Sequence, residues 1–170
     1  GRDWERKGLD RLINGICIAR GRGARIKLDV IGLDRQDVPH KLAEVAGVTW
    51  SGKIDKSLDP GAFITRLTSA DLGCLLSRAE AGGISLREFA RLGMPVLAPN
   101  TGGAREYTCD AASYRVAPHD PDEVIADTLV RLDQDRSQLS SSRVAAWAAR
   151  QTADWSVSAD HFQTHMRRLK

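Results

Sequence analysis

The stretch over residues 72–98 allows few architectures. A short apolar run at 72–76 leads into a glycine-containing loop, then a segment of helical character at 85–92, then the apolar Pro95-Val-Leu-Ala98. Strand, loop, helix and strand in that order make a βαβ unit, whose two strands run parallel. The same alternation runs along the chain. Leu9, Leu12, Ile13, Ile16 and Cys17 recur at helical spacing and predict an amphipathic helix over 8–20. Strands are predicted at 26–31, 48–50 and 113–116, and helices at 39–46, 60–70 and 104–107. Asp120-Pro121 opens a helix with Val124, Ile125, Thr128, Leu129 and Leu132 on one face. Proline is favoured at a first helical position, where its missing N–H would be unpaired anyway. Two further helices fit the tail, the second striped with Trp155, Phe162, Met166 and Leu169. The expected fold is α/β, a Rossmann-like three-layer domain with a mostly parallel sheet and helices on both faces.

Composition narrows the class. A chain of 170 residues, 42% hydrophobic and 28% charged, fits one soluble globular domain with a sizeable core. Twenty-five basic residues against 22 acidic ones give a net charge of +3. With no basic stripe interleaved by aromatics, nucleic acid is not an expected partner, and so small an excess gives an anionic lipid surface little to attract. No apolar run approaches the roughly 18 residues a membrane span needs. No signal-peptide pattern stands at the start, which opens at Gly1. Cys17, Cys74 and Cys109 lack metal-ligand spacing; Cys17, on the apolar helical face, and Cys74, in a strand, are expected as core residues in a reducing, cytoplasmic setting. His40, His119, His161 and His165 are scattered, so surface positions and no metal site are expected.

Two carboxylates bracket the βαβ loop. Ser85 is the expected N-cap of the helix, with Glu88 at the capping-box position. In open α/β sheets, ligands collect at the carboxyl ends of the strands, where helix N-termini offer unpaired N–H groups to phosphate. Glu80 falls at that rim and Glu88 one turn into the helix, both suited to accept hydrogen bonds from paired sugar hydroxyls. Gly82 and Gly83 allow close backbone approach, and the amides of Gly83, Ile84 and Ser85 can face a phosphate or sugar. Arg2 and Lys7 stand at the mouth of the first helix, two cations beside its positive end. Taken alone, a helix cap, a solvated loop residue and a charged first turn explain these residues as well. Gly21-x-Gly23 is no dinucleotide fingerprint, because it precedes a strand. Ser140-Ser141-Ser142 joins helices and lacks the context of a nucleophile.

The segment Glu80-Ala-Gly-Gly-Ile-Ser-Leu-Arg-Glu88, with Gly93-Met-Pro95 and Thr101-Gly102-Gly103-Ala-Arg-Glu106, resembles the retaining GT-B glycosyltransferases. Specifically, it looks like their sucrose-synthase and mannosyltransferase-type family, known for an E-x7-E motif. Gly1-Arg2-Asp-Trp-Glu-Arg-Lys7-Gly8 resembles that family's first loop, and Gly52-Lys53-Ile54 its nucleobase loop. Three matches in the right order cover essentially the whole chain as a C-terminal, donor-binding domain, residues 1–170. The resemblance implies transfer of a hexose from a nucleoside-diphosphate sugar to an acceptor hydroxyl, with retention. It casts Arg2, Lys7 and Glu80 as catalytic: the cations neutralise the departing diphosphate without a metal, and Glu80 faces the sugar. It also implies that Glu88 takes the ribose hydroxyls, Lys53 and Ile54 lie along the base, and Gly83, Ile84 and Ser85 meet phosphate or sugar. No cofactor beyond the donor substrate is implied. The family carries an aromatic where this chain has Gly82, so the donor sugar is not specified.

A doubly wound half-sheet begins with a central strand feeding its phosphate loop. Here that loop stands at residue 1, so the sequence predicts a longer protein whose N-terminal, acceptor-binding domain is the partner of this one. Any peripheral membrane contact would run through that half, and these residues alone should bind nucleotide but turn over little or nothing. The rival reading is a non-catalytic GT-B-like nucleotide-binding or assembly module. Its weakness is that both glutamates, Arg2 and Lys7 are present.

Overall fold

A computed structural model describes residues 3–80 and 83–150. The order is α1 (Leu9–Gly21), β1 (Leu28–Val30), a 3₁₀ turn (Arg35–Asp37), α2 (His40–Ala43), β2 (Val48–Trp50), α3 (Pro60–Thr68), β3 (Gly73–Cys74), α4 (Ile84–Arg91), β4 (Val96–Pro99), α5 (Gly102–Glu106), a second 3₁₀ turn (Asp110–Ala112), β5 (Ser113–Val116), α6 (Asp122–Gln134) and α7 (Arg136–Ala149). Among the described residues every strand pair is parallel: β1 on β2, and β3–β4–β5 in a second ladder. This is the expected Rossmann-like α/β arrangement.

Alternation along β4 makes the three layers. Leu97 packs with Leu12, Ile16 and Ala19 of α1 and Ile125, Ala126 and Leu129 of α6. Val96 and Ala98 point the other way, onto Leu86 of α4 and Ala104 of α5. Helix α1 also serves β1, because Leu9 and Ile13 join Val30, Leu33, Val38 and Leu42 in a second cluster. Each fully buried aliphatic side chain here contributes about 1.5–3 kcal/mol by leaving water. Helices α1 and α6 meet at Gly15, where an added Cβ would stand 2.5 Å from the Ile125 side chain.

Several predicted features shift. Cys17 is exposed, not a core residue, because the second cluster draws only Leu9 and Ile13 from that face of α1. Cys74 is only partly exposed, and burial pushes its thiol up to about 12. Pro121 is the N-cap of α6, one position before the helix, with an extended ψ of 157°. Helix α2 is shorter than predicted, ending at Ala43 with Glu44 as its C-cap; beyond it Arg20 and the Leu28 N–H hold the Ala46 and Gly47 carbonyls. The strand predicted at 72–76 keeps ladder geometry only at Gly73–Cys74, with one further bond from the Leu75 N–H to the Leu97 carbonyl. The 26–31 strand narrows to Leu28–Val30. His40 and His119 are exposed, as expected. The second tail helix, with Trp155, Phe162, Met166 and Leu169, and with His161 and His165, lies outside the described residues.

A buried arginine, Arg11, carried no local signal. Its side chain, 8% exposed, donates to Asp122 (3.2 Å) and to the carbonyls of Ala117 and Asp120. Asn14 adds a 3.1 Å bond to the same Asp122. Satisfied this way, a buried guanidinium locks the start of α6 onto α1.

Candidate active site

Loops following β2, β3 and β4 all emerge at the carboxyl edge of the parallel strands, where α/β sheets hold ligands. The segment before α1 joins them. Gly8 adopts φ 70° and sits so close to β3 that an added Cβ would be 2.1 Å from the Leu76 carbonyl oxygen. Two arginines then bind this segment to the loop after β3. The Arg78 N–H donates to the Arg6 carbonyl (2.8 Å) and the Arg6 guanidinium to the Ala79 carbonyl (2.7 Å). Arg78 also donates to the Glu5 carbonyl and makes a two-pronged ion pair with Asp10 at 2.7 and 3.0 Å. Burial works against the charge on Asp10, but the Arg78 guanidinium and the Arg11 N–H outweigh it and hold its carboxyl below the usual range. Lys7 and Glu80 are thereby carried on two loops that behave as one structure. Sequence reasoning missed Arg6 and Arg78, whose role depends on partners some 70 residues away.

Helix α4 begins differently from expectation. Its N-cap is Gly83, with φ 50°, and no side chain caps it. Ser85 therefore lies in the first turn, and Glu88 is too far into the helix for a capping box. Left-handed backbone is natural for glycine, and the Tyr107 ring leaves no room for a side chain: a Cβ on Gly83 would come within 2.4 Å of it. The same ring carries the Arg87 guanidinium 4.0 Å from its centroid. Ile84 is exposed and Ser85 half-buried at this end of the helix. Helix α1 starts likewise, on left-handed Gly8 with no side-chain cap. Helix α4 keeps its first N–H groups free of a side-chain cap and open to an anion, whereas the Leu9 N–H of α1 already donates to the Trp4 carbonyl at 3.0 Å.

Glu80 folds back over its own loop, accepting from the Gly83 N–H and from the Ser77 hydroxyl, both at 3.0 Å. Glu88 reaches outward from α4 to an ion pair with Lys56, a residue of the loop after β2. Lys53 is exposed and Ile54 half-buried in that loop. Gly52, at φ 61°, turns it against the Asp34 carboxylate. The structure thus joins the Lys7 segment to the Glu80 loop, and the Lys53–Ile54 loop to Glu88. Arg2 lies outside the described residues. Among the described residues, no three His, Cys, Asp or Glu side chains gather as a metal site, and no helix is long and apolar enough to cross a membrane.

A cavity of about 390 Å³ opens elsewhere, lined by Met94, Val96, Cys109, Ser113 and Ala146 among others. It borders the amino ends of β4 and β5, and none of the predicted site residues lines it. Arg87, Glu106 and Thr108 also line this cavity, while the predicted site residues that the structure describes stand on the open rim.

Solved structures share this architecture. HepE from Anabaena in complex with UDP superimposes with a TM-score of 0.73 at 18% identity, over 98% of this chain and 46% of its own. Sucrose-phosphate synthase from Thermosynechococcus elongatus gives 0.67 at 21% identity, over 97% and 43%. WaaG, a glycosyltransferase involved in lipopolysaccharide biosynthesis, gives 0.67 at 25% identity, over 91% and 41%. The chain thus spans less than half the length of each of these proteins. No curated protein matches it by sequence. The family model "Glycosyl transferases group 1" matches residues 1–146, which takes in the first loop, both glutamates and the strands β1 to β5. The chain belongs to the group 1 glycosyl transferases.

Proposed function

We propose that this chain is the donor-binding half of an enzyme that moves a hexose from a nucleoside-diphosphate sugar to an acceptor hydroxyl, with retention. One observation carries the reading. Arg6 and Arg78 fasten the segment before α1 to the loop before α4, so two uncapped helix N-termini share one rim with Lys7 and Glu80. A diphosphate satisfies both positive ends at once. Arg2 and Lys7 offset the charge that develops on the β-phosphate oxygen as its bond to the anomeric carbon breaks, a task that then needs no divalent metal. The amides of Ile84 and Ser85 hold the β-phosphate or a sugar hydroxyl, and that of Gly83, engaged by Glu80, joins them only where the ligand shares or takes over that bond. Glu80 keeps acceptor capacity beyond its two internal bonds and faces the donor sugar. Glu88 accepts from the ribose, and the loop at Lys53 and Ile54 lies along the base. That UDP is bound in the HepE structure supports a nucleoside diphosphate as the ligand class. The acceptor site belongs to a second Rossmann-like domain of the same cytoplasmic protein, and transfer takes place in the cleft between the two.

Thermal unfolding of the 170-residue chain with UDP, GDP, ADP and their common sugars tests this. A ligand at 100 times its Kd adds about 2.7 kcal/mol. In a domain of this size that raises Tm by roughly 5–10 °C. No rise with any of them, from a folded chain, contradicts donor binding and favours an assembly module.

A further inference from the structure

We infer that Lys56 is a positioning residue for the ribose site: by holding one oxygen of the Glu88 carboxylate, it presents the other to the ribose hydroxyls. The inference rests on the reading of Glu88 given above. Lys56 contacts Glu88 Oε1 across 32 residues of sequence, from the loop after β2 to the helix after β3. Its ammonium also stands 4.2 Å from the centroid of the Phe63 ring on α3, a cation–π contact. The backbone beneath it is built to hold that position. Asp55 accepts from the Ser57 N–H (2.9 Å) and hydroxyl (2.5 Å), and its carbonyl accepts from the N–H groups of Leu58 and Asp59. Asp59 then caps α3 through the Ala62 N–H at 2.8 Å.

Stability does not account for this arrangement. The Lys56 side chain is 48% exposed and that of Glu88 25%, and an ion pair so open to water adds little to folding. What the pair does restrict is the glutamate. A Glu side chain has several rotatable bonds, and a ligand that must order them binds more weakly by roughly tenfold. Among the described residues, the Glu88 carboxylate accepts from Lys56, through Oε1. Oε2 is the acceptor that remains, on a carboxylate already oriented. The same contact ties the base loop to α4, so the base and ribose subsites are set by one lysine.

The test compares UDP, GDP and ADP with their 2′,3′-dideoxy counterparts by calorimetric titration of the whole chain, as wild type, Lys56→Met and Lys56→Arg. For the nucleotide that binds wild type, Lys56→Met is expected to weaken the ribo form about tenfold and leave the dideoxy form within about twofold. Lys56→Arg keeps a cation over Phe63 and restores the preference for ribose. Melting temperatures of all three should agree closely, since the pair is exposed. An unchanged ribo/dideoxy ratio in Lys56→Met overturns the inference, as does tighter ribonucleotide binding, which would make Lys56 a competitor for Glu88. An arginine that fails to restore the ratio overturns it too. Equal wild-type affinity for the ribo and dideoxy forms would instead sink the reading of Glu88, and the inference with it. Failure of wild type to bind any of the three would sink the donor-site reading as a whole.

Discussion

Glu88→Ala should weaken nucleoside-diphosphate binding by about a hundredfold or more, while the chain stays folded. A carboxylate accepting two ribose hydroxyls gives up about 1.5–3 kcal/mol per charge-assisted bond when truncated, and every 1.4 kcal/mol is about tenfold in Kd. The cost to the fold is small by comparison. The side chain of Glu88 is part-exposed and its partner Lys56 more so, an arrangement worth about 0–1 kcal/mol at most. Leu86, on the inward side of the same helix, is fully buried and continues to anchor α4. Calorimetric titration of wild type and variant separates the two effects. A variant that binds as tightly as wild type would remove Glu88 from the site, whatever the rest of the rim does.

Gly8→Ala should cost the largest share of stability for the smallest change of structure. The residue holds φ 70°, and the new methyl would meet the Leu76 carbonyl oxygen at 2.1 Å, far inside van der Waals contact with backbone that cannot rotate away. Left-handed strain of about 1 kcal/mol adds to that overlap, and about 3–4 kcal/mol in total is expected. In a domain of this size the melting temperature should fall by roughly 6–16 °C. The segment before α1 cannot stay seated on β3, so nucleotide affinity should fall with it. Gly21→Ala is the control, at the last residue of the same helix, where an added Cβ meets nothing within 4 Å. Alanine there should stabilise by about 0.5–1 kcal/mol through helix propensity. Equal melting temperatures for the two variants would show that the close approach of Gly8 to β3 does not hold in solution.

Where periodicity was strong, the elements were legible. The strands Val48–Trp50 and Ser113–Val116 stand where the sequence put them, and α1 is offset by one residue. Ile125, Leu129 and Leu132 are buried on α6 as the helical spacing requires. The place of the loops carrying Lys53, Glu80 and Glu88 at the carboxyl edge was legible too, because it follows from strand–loop–helix order alone. Features decided by a distant partner were not. Ser85 satisfies every local rule for an N-cap, yet the turn forms at Gly83, where the Tyr107 ring closes the space beside it. Cys17 keeps helical register with Leu9 and Ile13 but stays outside their cluster and is exposed. Arg6, Arg78 and Lys56 read locally as solvated charges. Each owes its role to a partner between 32 and 73 residues away.

The same contrast separates the two glutamates. Glu80 spends two acceptor positions on its own loop, through Gly83 and Ser77, and so shapes the approach to α4. Glu88 is held from outside, by a lysine on another loop. One motif therefore contains a carboxylate that builds the rim and a carboxylate displayed on it.

The most direct test of where the ligand sits is an amide chemical-shift titration of the 170-residue chain with the nucleoside diphosphate chosen by thermal unfolding. The site described here predicts the largest changes at Leu9, at Gly83, Ile84 and Ser85, and at Gly52, Lys53 and Ile54, with none at Met94, Cys109 or Ala146. Changes concentrated at those last three residues would place the ligand in the cavity at the amino ends of the strands and contradict the account.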